Sequence, residues 1–279
     1  MRGPLQVQAE VLAVRREGAY TAMTVRAPGV AQRTGPGHFV AVQVGGPQSA
    51  MLLRRAFAIF GADPVRDTVE VVFAVHGKGT AWLAERCAGD VLDVVGPLGT
   101  PFRLPPRAVP ATLVGGGYGS APLLPLAEAL LAHGCRVDVV LGAACEDRLF
   151  GVAQAQRLAS SVVVTSDDGS AGVRGRVTDV LPDLLARTGS GVVYACGPMG
   201  MLRAVAGLAA AAGAASQVAV EESMACGIGV CMTCVLPVVG EDGLTRMVRS
   251  CVEGPVFAGD RVRWDDVGTV PADAVGAPR

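Results

Sequence analysis

Four cysteines near the C-terminal end constrain this chain more than any other feature. Their spacing is Cys226-x4-Cys231-x2-Cys234, with Cys251 following after sixteen further residues. Four thiolates can hold two irons bridged by sulfides, and C-x4-C-x2-C…C is the plant-type [2Fe–2S] spacing. Gly227 and Gly229 between the ligands let the backbone fold tightly around sulfur and offer N–H donors to it. Zinc is a second reading, although it usually uses paired C-x2-C knuckles and only one pair exists here. A third reading is that the cysteines are only buried. Cys87, Cys135, Cys145 and Cys196 are scattered and read as core or surface thiols. The stretch from Met1 to Ala13 has no long apolar run, so no signal peptide is expected. The expected compartment is the cytoplasm, where a disulfide framework is disfavoured.

The 279 residues suffice for two domains and a small third piece. A formal net charge of −1 gives no basic field to attract nucleic acid. A hydrophobic content of 51% and a mean hydropathy of +0.42 raise the question of a membrane. The longest charge-free apolar stretch, Ala108 to Ala127, is interrupted by Gly115, Gly116, Gly117 and prolines. A spanning helix needs ~20 apolar residues without such breakers, so no membrane span is expected. Lys78 is the only lysine; the excess of arginine reads as codon composition.

Residues 5–100 read as short strands: Val7–Val11, Tyr20–Val25, Phe39–Val44 and Val69–Val75. Gly and Pro punctuate them. That pattern predicts an antiparallel β-barrel. From residue 111 the pattern changes. Ala111–Val114, Val137–Leu141, Ser161–Thr165 and Gly191–Cys196 are candidate buried strands with helices between, one of them Ala121–Ala132. Alternating strands and helices predict a parallel, Rossmann-like α/β nucleotide-binding domain. The expected class is α/β plus all-β: a barrel over 1–103, an α/β domain over 104–217 and a small [2Fe–2S] domain over 218–279 that ends in coil. No internal repeat is present.

Gly115-Gly116-Gly117-Tyr118-Gly119 follows a strand and precedes a helix. Glycines there let backbone approach a pyrophosphate, although a plain strand-to-helix turn reads equally well. Cys196 closes another strand, ahead of Gly197-Pro198-Met199. It could touch a nicotinamide or be a small buried hydrophobe.

Pro36-Gly37-His38-Phe39, Arg54 to Ile59, Gly77-Lys78-Gly79-Thr80 and Cys196-Gly197-Pro198 fall in that order along the chain. Together they resemble the ferredoxin–NADP reductase superfamily, whose barrel binds flavin and whose second domain binds nicotinamide. The resemblance implies that Arg55, Ala56, Phe57 and Ala58 line an FAD site. An arginine suits pyrophosphate charge, and an aromatic suits a ring. Ala58 stands where the superfamily usually has a hydroxyl. The resemblance also places Val72, Phe73 and Ala74 beside the flavin, and Gly79 and Thr80 at its pyrophosphate. Gly115, Gly116, Gly117 and Gly119 fall to the nucleotide, with Cys196 as the catalytic residue. The bland reading of Arg54-Arg55 is a solvated basic corner.

Gly96-Pro97-Leu98-Gly99, Asp167-Asp168-Gly169-Ser170, Glu221 to Cys231, and Ser250 to Phe257 sharpen the match. They resemble the electron-transfer subunit of class 1B dihydroorotate dehydrogenase. A related subunit of NADH-dependent ferredoxin:NADP oxidoreductase often has Asp as first cluster ligand, and Cys226 departs from that. The resemblance implies FAD, one [2Fe–2S] cluster held by Cys226, Cys231, Cys234 and Cys251, and NAD. It also implies a partner, the FMN-containing dihydroorotate dehydrogenase catalytic subunit, in a heterotetramer. Electrons would pass from FMN through the cluster and FAD to NAD⁺ in pyrimidine biosynthesis. The chain has no room for a second barrel of ~250 residues, so it should not oxidise dihydroorotate alone. The alternative is a diaphorase subunit of a hydrogenase- or sulfite-reductase-type complex.

Three smaller expectations remain. Glu146 and Asp147 after Leu141 favour NAD over NADP, since carboxylates repel a 2′-phosphate. Asp167-Asp168 at a strand end is a candidate to face NAD, while Glu221-Glu222 could bind adenine or a partner, or be a solvated pair. Met224, Ile228, Val230, Met232, Val235 and Leu236 form a candidate docking face, or else pack the small module against its neighbour.

Overall fold

The computed structural model describes residues 3–46 and 49–277. The first third alternates outward and inward residues, as a barrel wall requires. Its strands are β1 (Leu5–Glu17), β2 (Tyr20–Arg26), β3 (Phe39–Val42), β4 (Arg55–Asp63) and β5 (Thr68–Phe73). A short helix α1 (Lys78–Ala84) precedes β6 (Val91–Leu98). They close as β1-β2-β5-β4-β3-β6, with every recorded pair antiparallel. Met23, Val25, Phe57, Ile59, Phe73 and Leu83 are among the side chains that fill the interior. Sequence patterning finds four of these six strands. It misses β4, where Arg55-Ala56-Phe57 reads as a ligand motif, and β6, which ends in Gly96-Pro97-Leu98.

The next strands lack that alternation. β7 (Ala111–Gly116), β8 (Val137–Ala143) and β11 (Val192–Cys196) are buried almost throughout, because helices cover both faces. α2 (Leu123–Ala132) and α3 (Val152–Leu158) pack on one face with Leu113, Leu141 and Tyr194. α4 (Val177–Thr188) and α5 (Met199–Ala211) pack on the other with Val114, Val140 and Val193. β9 (Ser161–Ser166), β10 (Val173–Arg174) and β12 (Ala215–Ala219) complete the parallel part. Its order is β10-β9-β8-β7-β11-β12. The order reverses between β7 and β11, and such a switch point is where open α/β sheets bind ligands. The helix expected from Ala121 begins at Leu123, after a 3-10 turn over Gly117–Ser120.

The C-terminal part carries three short strands ahead of the coil-rich end expected for it. β13 (Val235–Val239) and β14 (Thr245–Arg249) form a hairpin, and β15 (Val256–Ala258) adds antiparallel to β12. The expected boundary at 217/218 therefore falls inside β12, and the last module shares the sheet of the second. A backbone bond ties the first part to the last: Thr100 N–H donates to Gly254 O at 2.6 Å. The Tyr20 hydroxyl donates to Arg148 O at 2.7 Å across the seam between barrel and α/β domain. Among the described residues no helix is long and apolar enough to cross a membrane.

Candidate functional site

Cys234 and Cys251 flank the foot of the β13–β14 hairpin, and Cys226 and Cys231 sit on the loop that leads into it. Cys234 and Cys251 are buried, packed with Phe39, Ala41 and Leu98 from the barrel, with Met224 alongside. Cys226 is half-buried and Cys231 exposed. The thiols interact in two pairs, Cys226 with Cys231 and Cys234 with Cys251. Bonds from Thr233, then from Cys226, lower the Cys231 thiol to about 6, while burial and then Cys234 push Cys251 up to about 12. Gly227 (φ +72°) and Gly229 (φ +84°) turn the loop in a region that favours glycine. A Cβ on Gly227 would stand 3.4 Å from Ala41 Cβ, and one on Gly229 2.6 Å from Val252 Cγ2. Ile228 N–H approaches Cys226 Sγ at 3.5 Å. Arg249, paired with Glu253, donates to Gly229 O at 3.0 Å and pins the turn. Four thiols in two pairs, on glycine turns whose N–H groups face sulfur, suit a two-iron cluster. No three metal-ligating side chains gather around a single point among the described residues.

A cleft of about 430 Å³ lies between the barrel and the switch point. Arg55, Ala56, Phe57 and Ala58 of β4 border it, as do Val72, Phe73, Ala74 and Thr80. Strand period sorts them. Ala56 and Ala58 face outward, whereas Phe57 is buried in the barrel, its ring 5.2 Å from that of Phe73. Phe57 thus meets the cleft from within the barrel wall, and what β4 turns outward there is Ala56 and Ala58, with Arg55 at the strand's start. Arg55 Nη1 donates to Leu53 O at 2.7 Å. Gly79 does not border the cleft; a Cβ there would lie 3.0 Å from Arg55 Nε, so the glycine admits the guanidinium. Thr80 Oγ1 accepts the N–H groups of His76 and Gly77. An arginine beside a backbone turn, under a shallow floor of alanines, fits a flat ring system carrying a pyrophosphate.

A second cleft of about 630 Å³ opens on the other side of the glycine loop. Gly116 and Gly117 border it, as do Pro198, Met201, Arg148, Asp167 and Arg176. Gly115 borders neither cleft; a Cβ there would stand 2.7 Å from Ser120 Cβ, so it serves the tight turn. Thr165 is fully buried, borders this cleft, and its hydroxyl has no partner, which suits a polar ligand arriving from the cleft. Glu146 and Asp147, the expected coenzyme selectors, do not border it; Asp167 does.

Tyr118, His76 and Glu221 border both clefts and form the wall between them. Cys196 and Gly119 border only the first. Burial, then Glu221, pushes the Cys196 thiol far up, so it stays protonated near neutral pH. Glu221 is reached by solvent yet crowded by its walls, and that crowding raises its carboxyl. The segment after β12 is continuous with all three sites. Glu221 stands in the wall, Glu222, Ser223 and Met224 border the first cleft, and Cys226 begins the thiol group. The wall was not legible beforehand. In the sequence Tyr118 reads as part of a glycine turn, and nothing local marks His76.

Of the candidate docking residues, Ile228, Val230 and Met232 are 50%, 73% and 53% exposed. Leu236 is fully buried against Val218 and Val262 in the α/β core and cannot face a partner, because it points inward from the hairpin.

A sequence model of the iron–sulfur cluster binding domain of dihydroorotate dehydrogenase B matches residues 221–263. One of an oxidoreductase NAD-binding domain matches residues 113–207. The chain is 34% identical to the electron transfer subunit of dihydroorotate dehydrogenase B (NAD(+)) from Desulforamulus reducens, over 92% of this chain and 98% of that one. It is 38% identical to the subunit of that name from Geobacillus thermodenitrificans, over 84% and 88%. Among solved structures, one describing flavin-based electron bifurcation in NADH-dependent reduced ferredoxin-NADP oxidoreductase superposes with a TM-score of 0.81. Its identity is 31%, covering 94% of this chain and 91% of that one. An Amycolatopsis cytochrome P450 reductase shares the fold alone, at 23% identity and a TM-score of 0.61.

Proposed function

The chain belongs to the family of dihydroorotate dehydrogenase B electron transfer subunits, and on that premise we propose how its residues divide the work. The observation that carries the reading is the single segment Val220–Cys226, which runs from the wall between the clefts, along the first cleft, to the first thiol. The cluster passes electrons singly, NAD⁺ takes a hydride, and FAD handles both, so FAD belongs between the other two. Cys226, Cys231, Cys234 and Cys251 hold the cluster. Arg55, with the turn through Gly79 and Thr80, holds the FAD pyrophosphate, and Ala56, Ala58, Val72 and Ala74 leave room for its ring. Phe57 and Phe73 support that wall from inside. Gly116 and Gly117 admit the NAD pyrophosphate, and Gly115 and Gly119 keep the loop tight. Cys196 is a neutral, shaping contact at the nicotinamide rather than a base.

The partner is a catalytic subunit that oxidises dihydroorotate on FMN, in a cytoplasmic heterotetramer. Residues 1–103, 104–217 and 218–279 supply the FAD, NAD and cluster sites in turn. Ile228, Val230 and Met232, exposed around the thiols, are the docking face. The test is to co-purify the two subunits anaerobically, identify the released flavins and follow NAD⁺ reduction by dihydroorotate. A complex loaded with FAD and iron that cannot reduce NAD⁺ from dihydroorotate would overturn the reading and favour a different electron donor.

A further inference from the structure

Ser250 is fully buried, and its hydroxyl has no hydrogen-bond partner. A hydroxyl in that state is unfavourable unless something meets it. Strand register says which way it points. In the β13–β14 ladder Val235 stands opposite Arg249, so the next pair outward is Cys234 opposite Ser250. Ser250 N–H donates to Cys234 O at 2.9 Å, which extends the ladder to that pair. Directly opposed residues of an antiparallel ladder project to the same side, with Cβ atoms roughly 4.5–5.5 Å apart. Ser250 Oγ therefore lies on the side of the Cys234 thiol, next in sequence to Cys251. Cys234 and Cys251 themselves pack among Phe39, Ala41 and Leu98, an apolar setting.

We propose that Ser250 donates a hydrogen bond from Oγ to sulfur on the Cys234 side of the iron–sulfur cluster, and thereby raises the cluster's reduction potential. This rests on the two-iron reading of the four cysteines. A reduced cluster carries one more negative charge than an oxidised one, so a donor aimed at sulfur stabilises the reduced form more. In a buried, apolar setting that difference is weakly screened. Ser250 is a positioning residue for charge: it ligates nothing, and an alanine would fill nearly the same volume.

The test uses the intact holoprotein and three variants. Iron and sulfide are assayed first, then the midpoint potential is titrated with the EPR signal of the reduced cluster as readout. Ser250→Ala should keep its iron and lower the potential by about 59 mV, a tenfold change in a one-electron equilibrium. Ser250→Cys, a weaker donor, should fall between, and Ser250→Thr should stay near the wild-type value. If Ala and Cys variants lose the cluster while Thr keeps it at the wild-type potential, the hydroxyl bond is again supported. An iron-loaded Ala variant at the wild-type potential overturns the proposal. So does loss of the cluster from all three, which would assign Ser250 to packing. Wild-type protein without iron would instead overturn the cluster reading itself.

Discussion

A Cβ placed on Gly119 would stand 2.8 Å from the carbonyl oxygen of Cys196. The end of β11 and the glycine loop after β7 thus meet backbone to backbone at the switch point, and neither side is a flexible side chain. Gly119→Ala should cost about 1–3 kcal/mol, the usual range for overpacking. Thermal unfolding measures that directly. Because Gly119 borders the first cleft, flavin content should fall with stability. An alanine variant with unchanged Tm and flavin would show that the loop has slack.

The Arg55 guanidinium packs against the Gly79 turn. If Arg55 holds the FAD pyrophosphate as proposed, Arg55→Ala should cost about 1.5–3 kcal/mol, or roughly ten- to a hundredfold in affinity. Fluorescence of flavin released on dilution should reveal it, and the released species should chromatograph as FAD. Arg55→Lys should recover only part, since an ammonium lacks the planar fork.

Asp167 borders the second cleft near Arg148 and Arg176, while Glu221 stands in the wall shared with the first cleft. Asp167 should repel a 2′-phosphate and keep NADPH a poor substrate. Asp167→Ala leaves both arginines in place, so NADPH-dependent dye reduction should rise about tenfold relative to NADH. Equal use of the two coenzymes by the wild-type protein would refute the preference.

Glu221 carries a pH signature of known sign. Crowding raises its carboxyl above the ordinary 4.5, so the folded protein holds that proton more tightly than the unfolded chain. Its contribution to stability therefore falls as pH rises through the window above 4.5. Glu221→Gln, neutral throughout, should gain Tm relative to wild type as pH climbs through that window. A constant Tm difference from pH 4 to 8 would count against the raised carboxyl.

Met232 is exposed and has a φ of +59°, unusual for a side chain of its kind. Aspartate tolerates that region, so Met232→Asp adds charge without adding backbone strain. Electron transfer from dihydroorotate should drop while NADH-dependent reduction of an artificial dye persists. Met232→Asn, uncharged at the same φ, should keep partner binding closer to wild type. Unchanged transfer in the Asp variant, with cluster and FAD intact, removes Met232 from the docking face.

The sequence alone determined whatever depends on spacing or local pattern. Cys226, Cys231, Cys234 and Cys251 announce a cluster because ligand spacing is a property of the chain. The buried runs Ala111–Val114 and Val137–Leu141 announce a parallel sheet because covered strands have no polar side. Four of the six barrel strands were legible from their alternation and turns. Tertiary structure decided the rest. Phe57 turned inward because β4 continues as a barrel strand, which a motif reading of Arg55 to Ala58 does not reveal. Leu236 left the candidate docking face because its side of the hairpin packs on the α/β core. Asp167 borders the second cleft because β9 ends there, whereas the loop after β8 meets that cleft through Ala144 and Arg148 and not through Glu146 or Asp147. The wall of His76, Tyr118 and Glu221 draws on three segments far apart in sequence. Ser250 became a candidate only once register set it beside Cys234. Spacing fixes which atoms can bind together, but which face a side chain takes is set by partners distant in the chain, and only folding brings those partners near.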